Sequence, residues 1–157
     1  MRKINFVADD ATLMSLALEQ AAAAADRGDP GFGAVVALEG EAVAAAGSTE
    51  VTSGDPLAHD GLTVLRQAFC RLGRARLSDC TFYSTPEPCP MCSAALIQTQ
   101  IRRVVIAASG AELTRLLSPR AIHLEDLRAD YGHQILIERG LQHDEGLKVL
   151  ARSRRQR

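Results

Sequence analysis

Thr85-Pro86-Glu87-Pro88-Cys89-Pro90-Met91-Cys92 is the stretch whose reading decides the fold of this chain. The β-prone run Thr81-Phe82-Tyr83-Ser84-Thr85 leads into it and ends against Pro86, and Pro90 suits the first position of a helix running to about Thr99. Both thiols therefore lie where a strand gives way to a helix, beside backbone N–H groups whose partial positive charge favours thiolate. A Cys-x-x-Cys pair outside a secreted disulfide framework binds metal or does redox chemistry. The redox reading normally comes with a thioredoxin-like order of elements, whereas here His59 follows a similar turn into the preceding helix. His59, Cys89 and Cys92 make three ligands for one zinc ion. No fourth stands close by in the sequence, the pattern of a zinc site that keeps a position open for water.

Working outward, Asp9 or Asp10 caps a helix to about Arg27, with Leu13, Leu16, Ala17 and Gln20 at helical spacing, Gly28 as its stop and an alanine run suited to packing on a sheet. Phe32–Leu38 and Ala42–Ala46 form a hairpin across Glu39-Gly40-Glu41, with Gly31 and Gly33 permitting close backbone approach. Residues 47–56 read as a loop into a helix near Ala58 that carries Leu62, Leu65 and Phe69 inward and stops near Gly73. Arg103–Ala108 is a strand. Beyond it the pattern predicts short helices over 111–117 and 124–130, a strand over 134–137 and a last helix from Asp144. This order implies a mixed sheet covered by helices on both faces, in one domain spanning 1–157.

The hydrophobic fraction of 46% with 24% charged residues is that of a packed globule. No run approaches the ~18 apolar residues that span a bilayer, and Asp9 and Asp10 follow Met1-Arg2-Lys3-Ile4-Asn5 too soon for a signal peptide, so the cytoplasm is the expected compartment. With 18 basic against 19 acidic residues there is no general positive field to draw in nucleic acid. The basic tail Arg152-Ser153-Arg154-Arg155-Gln156-Arg157 reads as a solvated helix end. Cys70 and Cys80 read as buried small hydrophobes, and His123, His133 and His143 as surface or hydrogen-bonded residues.

Asp55-Pro56-Leu57-Ala58-His59 and the Thr85–Cys92 string resemble the cytidine-deaminase-like zinc family, in its cytosine, guanine and tRNA-adenosine deaminase branch. Gly31-Phe32-Gly33-Ala34-Val35-Val36 looks like the family's first strand and Ile101-Arg102-Arg103-Val104-Val105 like its strand after the second zinc helix, so the resemblance covers roughly 11–108. It implies a three-layer α/β/α cytidine-deaminase-like fold, zinc on His59, Cys89 and Cys92, a small amino-heterocycle such as a nucleobase or nucleoside as substrate, and a homodimer. In that family a zinc-activated water attacks the ring carbon bearing the amino group, and a glutamate two residues after the histidine shuttles protons.

This sequence departs from the pattern at His59-Asp60-Gly61, where Gly61 stands in the glutamate's place without a side chain to move a proton. The family's substrate-holding asparagine aligns with Thr49, and Phe32 reads equally as a core aromatic on its strand or as a face on which a planar ring stacks. Two carboxylates are candidates to replace the shuttle. Glu50 lies in the loop bordering the pocket, and Asp60 adjoins His59 but, at about 100° per helical residue, is expected to face away from the water. Glu87 reads as ordinary for the family. Three functions remain: a zinc aminohydrolase with altered proton transfer, a scaffold or partner subunit with structural zinc, or a normal deaminase site changed at Gly61, in which glutamate restores activity.

Overall fold

The computed structural model describes residues 9–155. Met1–Asn5, read above for a signal peptide, and the tail residues Gln156 and Arg157 lie outside them. The elements are α1 (Asp10–Asp26), β1 (Gly33–Leu38), β2 (Glu41–Gly47), α2 (Glu50–Ser53), α3 (Asp60–Leu72), α4 (Arg74–Leu77), β3 (Thr81–Pro86), α5 (Pro90–Gln98), β4 (Arg103–Ala108), α6 (Gly110–Leu116), α7 (Leu124–Tyr131), β5 (Leu136–Arg139) and α8 (His143–Arg155). The strands form one mixed sheet in the order β2-β1-β3-β4-β5. β1 pairs antiparallel with β2 and β3, while β3–β4 and β4–β5 are parallel. Parallel neighbours need crossovers, which α5 and then α6 with α7 supply.

All six residues of β1 are buried, as a strand covered on both faces requires. Ala34, Val36 and Leu38 join Val64, Leu65, Leu96, Ile97 and Leu124 of α3, α5 and α7 in one core. Val35 and Ala37 point the other way, to Leu13, Met14 and Ala17 of α1. The sheet thus sits between two helical layers, a three-layer α/β/α sandwich. Small residues bring α1 directly onto the hairpin: Ala17, Ala21, Ala24 and Ala25 are fully buried, and a Cβ at Gly33 would stand 2.1 Å from the Ala17 carbonyl oxygen.

Three readings are corrected. The 47–56 loop contains the helical turn α2, pinned by a buried acid: Asp29 accepts from the backbone N–H groups of Val51 and Thr52 and from the Thr52 hydroxyl at 2.8–3.0 Å. Phe69 faces outward, 51% exposed, because the buried face of α3 runs through Gly61, Val64, Leu65 and Ala68 and Phe69 falls one position beyond it. Cys70, the next residue round the helix, is exposed as well, whereas Cys80 is buried as expected.

The sheet is tied to α1 by polar contacts. Arg103 on β4 donates to both carboxylate oxygens of Asp10 at 2.7 and 2.8 Å and also pairs with Glu138 on β5, while the Tyr83 hydroxyl donates to Asp10 at 2.6 Å. The Arg103 guanidinium is the main reason the Asp10 carboxyl is held down at about 2. A depressed carboxyl contributes stability above the unfolded value of 3.8 and loses it as pH falls toward 2. The Asp10 side chain is 41% exposed, so solvent screening reduces the contribution to about 1 kcal/mol. Asp10→Asn is expected to lower the unfolding free energy at pH 7, measured by urea titration, by that amount, with the gap to the unaltered protein narrowing between pH 4 and pH 2.

Candidate metal centre

His59 and Cys89 each occupy an N-cap, His59 ahead of α3 and Cys89 ahead of α5, with extended backbone that releases their side chains from the helix they precede. Pro90 begins α5 as its sequence position suggests, and the Cys92 N–H points at the Cys89 sulfur at 3.5 Å. The loop between β3 and α5 is fixed by a hydrogen bond from the Glu87 N–H to the Ala108 carbonyl at 3.0 Å. Two helix N-termini thereby converge on one point.

At that point His59 Nδ1 lies 3.5 Å from Cys89 Sγ and 3.7 Å from Cys92 Sγ, and the three donor atoms all stand within 4.8 Å of one another. Zinc bonds of ~2.05 Å to nitrogen and ~2.3 Å to sulfur at a tetrahedral angle demand an N···S separation of about 3.6 Å. The donor set fits a zinc ion in identity, number and spacing. The hydrogen bond from the Cys92 thiol, followed by the neighbouring His59, holds Cys89 well below the usual thiol range. Cys92 is pushed up, first by its hydrogen bond to Cys89 and then by burial, so the pair keeps its proton on Cys92. The same Cys89 contact raises His59.

The other ring nitrogen of His59 is also held. Nε2 stands 3.5 Å from a Glu50 carboxylate oxygen, and the fully buried Ser48 donates its hydroxyl to the second oxygen at 3.2 Å. Glu50 opens α2, the turn that Asp29 pins, and the Thr49 N–H donates to the Ala58 carbonyl just before His59. Glu50 is thus on the side of the imidazole away from the sulfurs.

Beside the three donors is a cavity of about 30 Å³ lined by Phe32, Asp60, Gly61, Phe82, Ser84, Glu87 and Arg120, among others. Of the residues singled out in the sequence, His59, Cys89, Cys92, Phe32, Asp60 and Gly61 meet there, and Thr49 and Glu50 are not part of its wall. Asp60 does not turn away from the site: it is the first residue of α3, 5% exposed, and walls the cavity, since the 100° argument applies to an established helix and not to its first step out of the N-cap. Burial is the main cause that pushes its carboxyl up to about 7. Gly61 leaves no vacancy. A Cβ there would stand 3.0 Å from Cys92 Sγ and 3.2 Å from Cys92 Cβ, so α3 and α5 are in contact through it.

Arg120 and the lining role of Glu87 escaped sequence reading. Arg120 stands on the irregular connection from α6 to α7, after Ser118-Pro119, where no periodicity ties a residue to a site. The three other histidines stay outside the donor group: His133 faces the Ile101 carbonyl and His143 pairs with Glu112.

An α/β/α sandwich presenting one histidine and a Cys-x-x-Cys from two helix N-termini defines a metal-binding domain of deaminase architecture. The sequence model described as the cytidine and deoxycytidylate deaminase zinc-binding region matches residues 7–108, and the chain belongs to that family. It is 35% identical over 99 residues to the tRNA-specific adenosine deaminase of Bacillus subtilis (strain 168), a match spanning 63% of this chain and 62% of that protein. It is 38% identical over 81 residues to the guanine deaminase of the same strain, 52% of each chain. The matched stretch is thus less than two thirds of either relative. Among solved structures, one from a study of A-to-I editing by tRNA:A34 deaminases superposes with a TM-score of 0.70 at 32% identity, covering 88% of this chain and 98% of that one. No helix among the described residues is long and apolar enough to cross a membrane.

Proposed function

We propose that the chain is a zinc-dependent aminohydrolase that releases ammonia from an amino-substituted nucleobase, with Asp60 moving the protons. His59, Cys89 and Cys92 would hold a zinc ion, whose Lewis acidity would bring the pKa of a water toward ~7. Asp60 accepts the first proton of the attacking water and passes it to the ring nitrogen as the C–O bond forms; it then takes the second proton, from the hydroxyl now on the ring carbon, and passes it to the amino group, which leaves as ammonia as the C–N bond breaks. Phe32 offers a face to the ring. The observation that carries this reading is that Asp60 walls the same cavity as the three donors while almost wholly buried. Among the described residues no Lys, Arg or His nitrogen pairs with it within 4.0 Å, and a buried carboxylate without an ion-pair partner is costly to keep for structure alone.

The test is ammonia release by protein of measured zinc content, against free nucleobases, nucleosides and an anticodon-arm RNA. Release from one of them, with one zinc per chain, is expected. The balance of charges argues for a small molecule and the tRNA-named relatives for a base carried in RNA, so both belong in the panel. A second reading, a scaffold or partner subunit with structural zinc, draws on the cavity itself: about 30 Å³ holds little more than a water until its wall moves. One bound zinc with no ammonia from any substrate establishes that reading instead. A cytoplasmic homodimer is proposed on the family resemblance.

Glu50 is a positioning residue in this proposal. Its carboxylate on His59 Nε2 keeps Nδ1 turned to the metal, and such outer partners of ligating histidines are typically worth 10–100-fold in metal affinity. Glu50→Gln keeps a hydrogen-bonding group and loses the charge, so zinc affinity measured by chelator competition is expected to fall about tenfold. Had Glu50 been the proton shuttle, the variant would keep its zinc affinity and lose turnover.

A further inference from the structure

A larger cavity, of about 290 Å³, opens against the metal-site cavity, and Glu87 and Arg120 line both. Its floor is apolar, from Leu113 and Leu117 of α6 and the residue after it. Its charged wall consists of Glu87, Arg120 and Arg139, with His123 beside them. The charge of Arg139 is paired with two carboxylates: its Nε and Nη2 fork onto both oxygens of Glu87 at 3.0 and 2.5 Å, and Nη2 also reaches Glu125 at 2.5 Å. That engagement also neutralises Glu87. Among the described residues Arg120 has a single hydrogen-bond partner, the Glu87 backbone carbonyl at 3.3 Å, and no carboxylate within 4.0 Å.

A guanidinium presents five N–H donors in a planar fork that matches a phosphate. Arg120 therefore stands half-buried with its charge uncompensated and most of its donors free, where the two cavities meet. Ser109 and Ser118 add hydroxyls to the same cavity. A cation finds no free carboxylate there, and an apolar ligand would cover the charge. A phosphate answers both demands, and Leu113 and Leu117 can take the sugar or a neighbouring base.

We propose that this second cavity is the phosphate subsite of the substrate, with Arg120 as its cation, for a nucleotide whose base enters the metal-site cavity. The inference rests on the nucleobase reading and extends it: the substrate is phosphorylated, as a mononucleotide or as one link of an RNA strand. Leu113 and Leu117 belong to α6 and its C-terminal flank, and Arg120 to the irregular connection beyond, so the subsite is assembled outside the residues that carry the metal.

The experiment is calorimetric titration of the zinc-loaded chain with adenosine, guanosine and cytidine, each beside its 5′-monophosphate, and with a five-nucleotide RNA. Unaltered protein, Arg120→Gln and Arg115→Gln are compared; Arg115 is an exposed cation of α6 outside the cavity lining and controls for the lost charge. At least one phosphorylated ligand is expected to bind about tenfold or more tightly than its nucleoside, a preference lost in Arg120→Gln and kept in Arg115→Gln. Preference for the mononucleotide assigns the monoester, and preference for the RNA alone assigns the diester. Nucleosides binding as well as their phosphates, or a preference that survives Arg120→Gln, overturns the subsite. Because binding is read without turnover, a chain that never releases ammonia can still carry the subsite. Conversely, ammonia from free bases with no phosphate preference keeps the deaminase reading and removes this one.

Discussion

Asp60→Asn is expected to lower the rate of ammonia release ~10²–10⁴-fold, the usual worth of one positioned acid–base group, and to leave one zinc bound per chain. Asn is nearly isosteric and offers no exchangeable carboxyl proton, so it separates proton transfer from the shape of the cavity. The substitution also removes a buried carboxylate that has no ion-pair partner, so the thermal midpoint is expected to hold or rise. A loss of activity with unchanged stability and unchanged zinc is a result that a structural role for Asp60 cannot give. If the variant turns over as fast as the unaltered protein, Asp60 is not the proton carrier. On the proposed reading one carboxylate handles water, ring nitrogen and leaving group in turn, so the upper end of the range is the expected one.

The metal ligands were legible because their chemistry is local. Pro90 after Cys89 announces the helix start, the Cys-x-x-Cys spacing spans one turn, and an N-cap histidine needs only a loop that ends in a helix. The sheet was legible for a similar reason: strands covered on both faces read as unbroken apolar runs, and Gly33 and the alanines of α1 record where helix and hairpin touch. The rest depends on long-range contacts that no periodicity encodes. The direction of Asp60 follows from its being the first residue past an N-cap. The place of Glu50 follows from Asp29, more than twenty residues away, folding the loop into a helical turn. Arg120 reaches the site only because α6, α7 and the ends of β3 and β4 converge, and Phe69 was misread by a single residue at the margin of an amphipathic face.

Gly61→Glu meets the tight contact between α3 and α5. If the site were an ordinary one with its shuttle deleted, Gly61→Glu would raise ammonia release above that of the unaltered protein. The packing argues otherwise, because any side chain begins with a Cβ, and here that atom would lie 3.0 Å from the sulfur of a metal ligand. Either Cys92 yields by a few tenths of an ångström or α3 moves off α5; overpacking of this kind typically costs 1–3 kcal/mol, and whichever adjustment occurs is felt at the ligand. Zinc affinity is therefore expected to fall roughly 10–100-fold in both Gly61→Ala and Gly61→Glu, since 1.4 kcal/mol is a tenfold change. The two variants share the clash and differ only in the carboxylate, so their comparison isolates it. Equal, low rates in both at saturating zinc are expected if Asp60, as proposed, already supplies the proton-moving carboxylate. A Glu variant faster than the Ala variant and faster than the unaltered chain would overturn that assignment, and would make Gly61 a lesion in an otherwise conventional site.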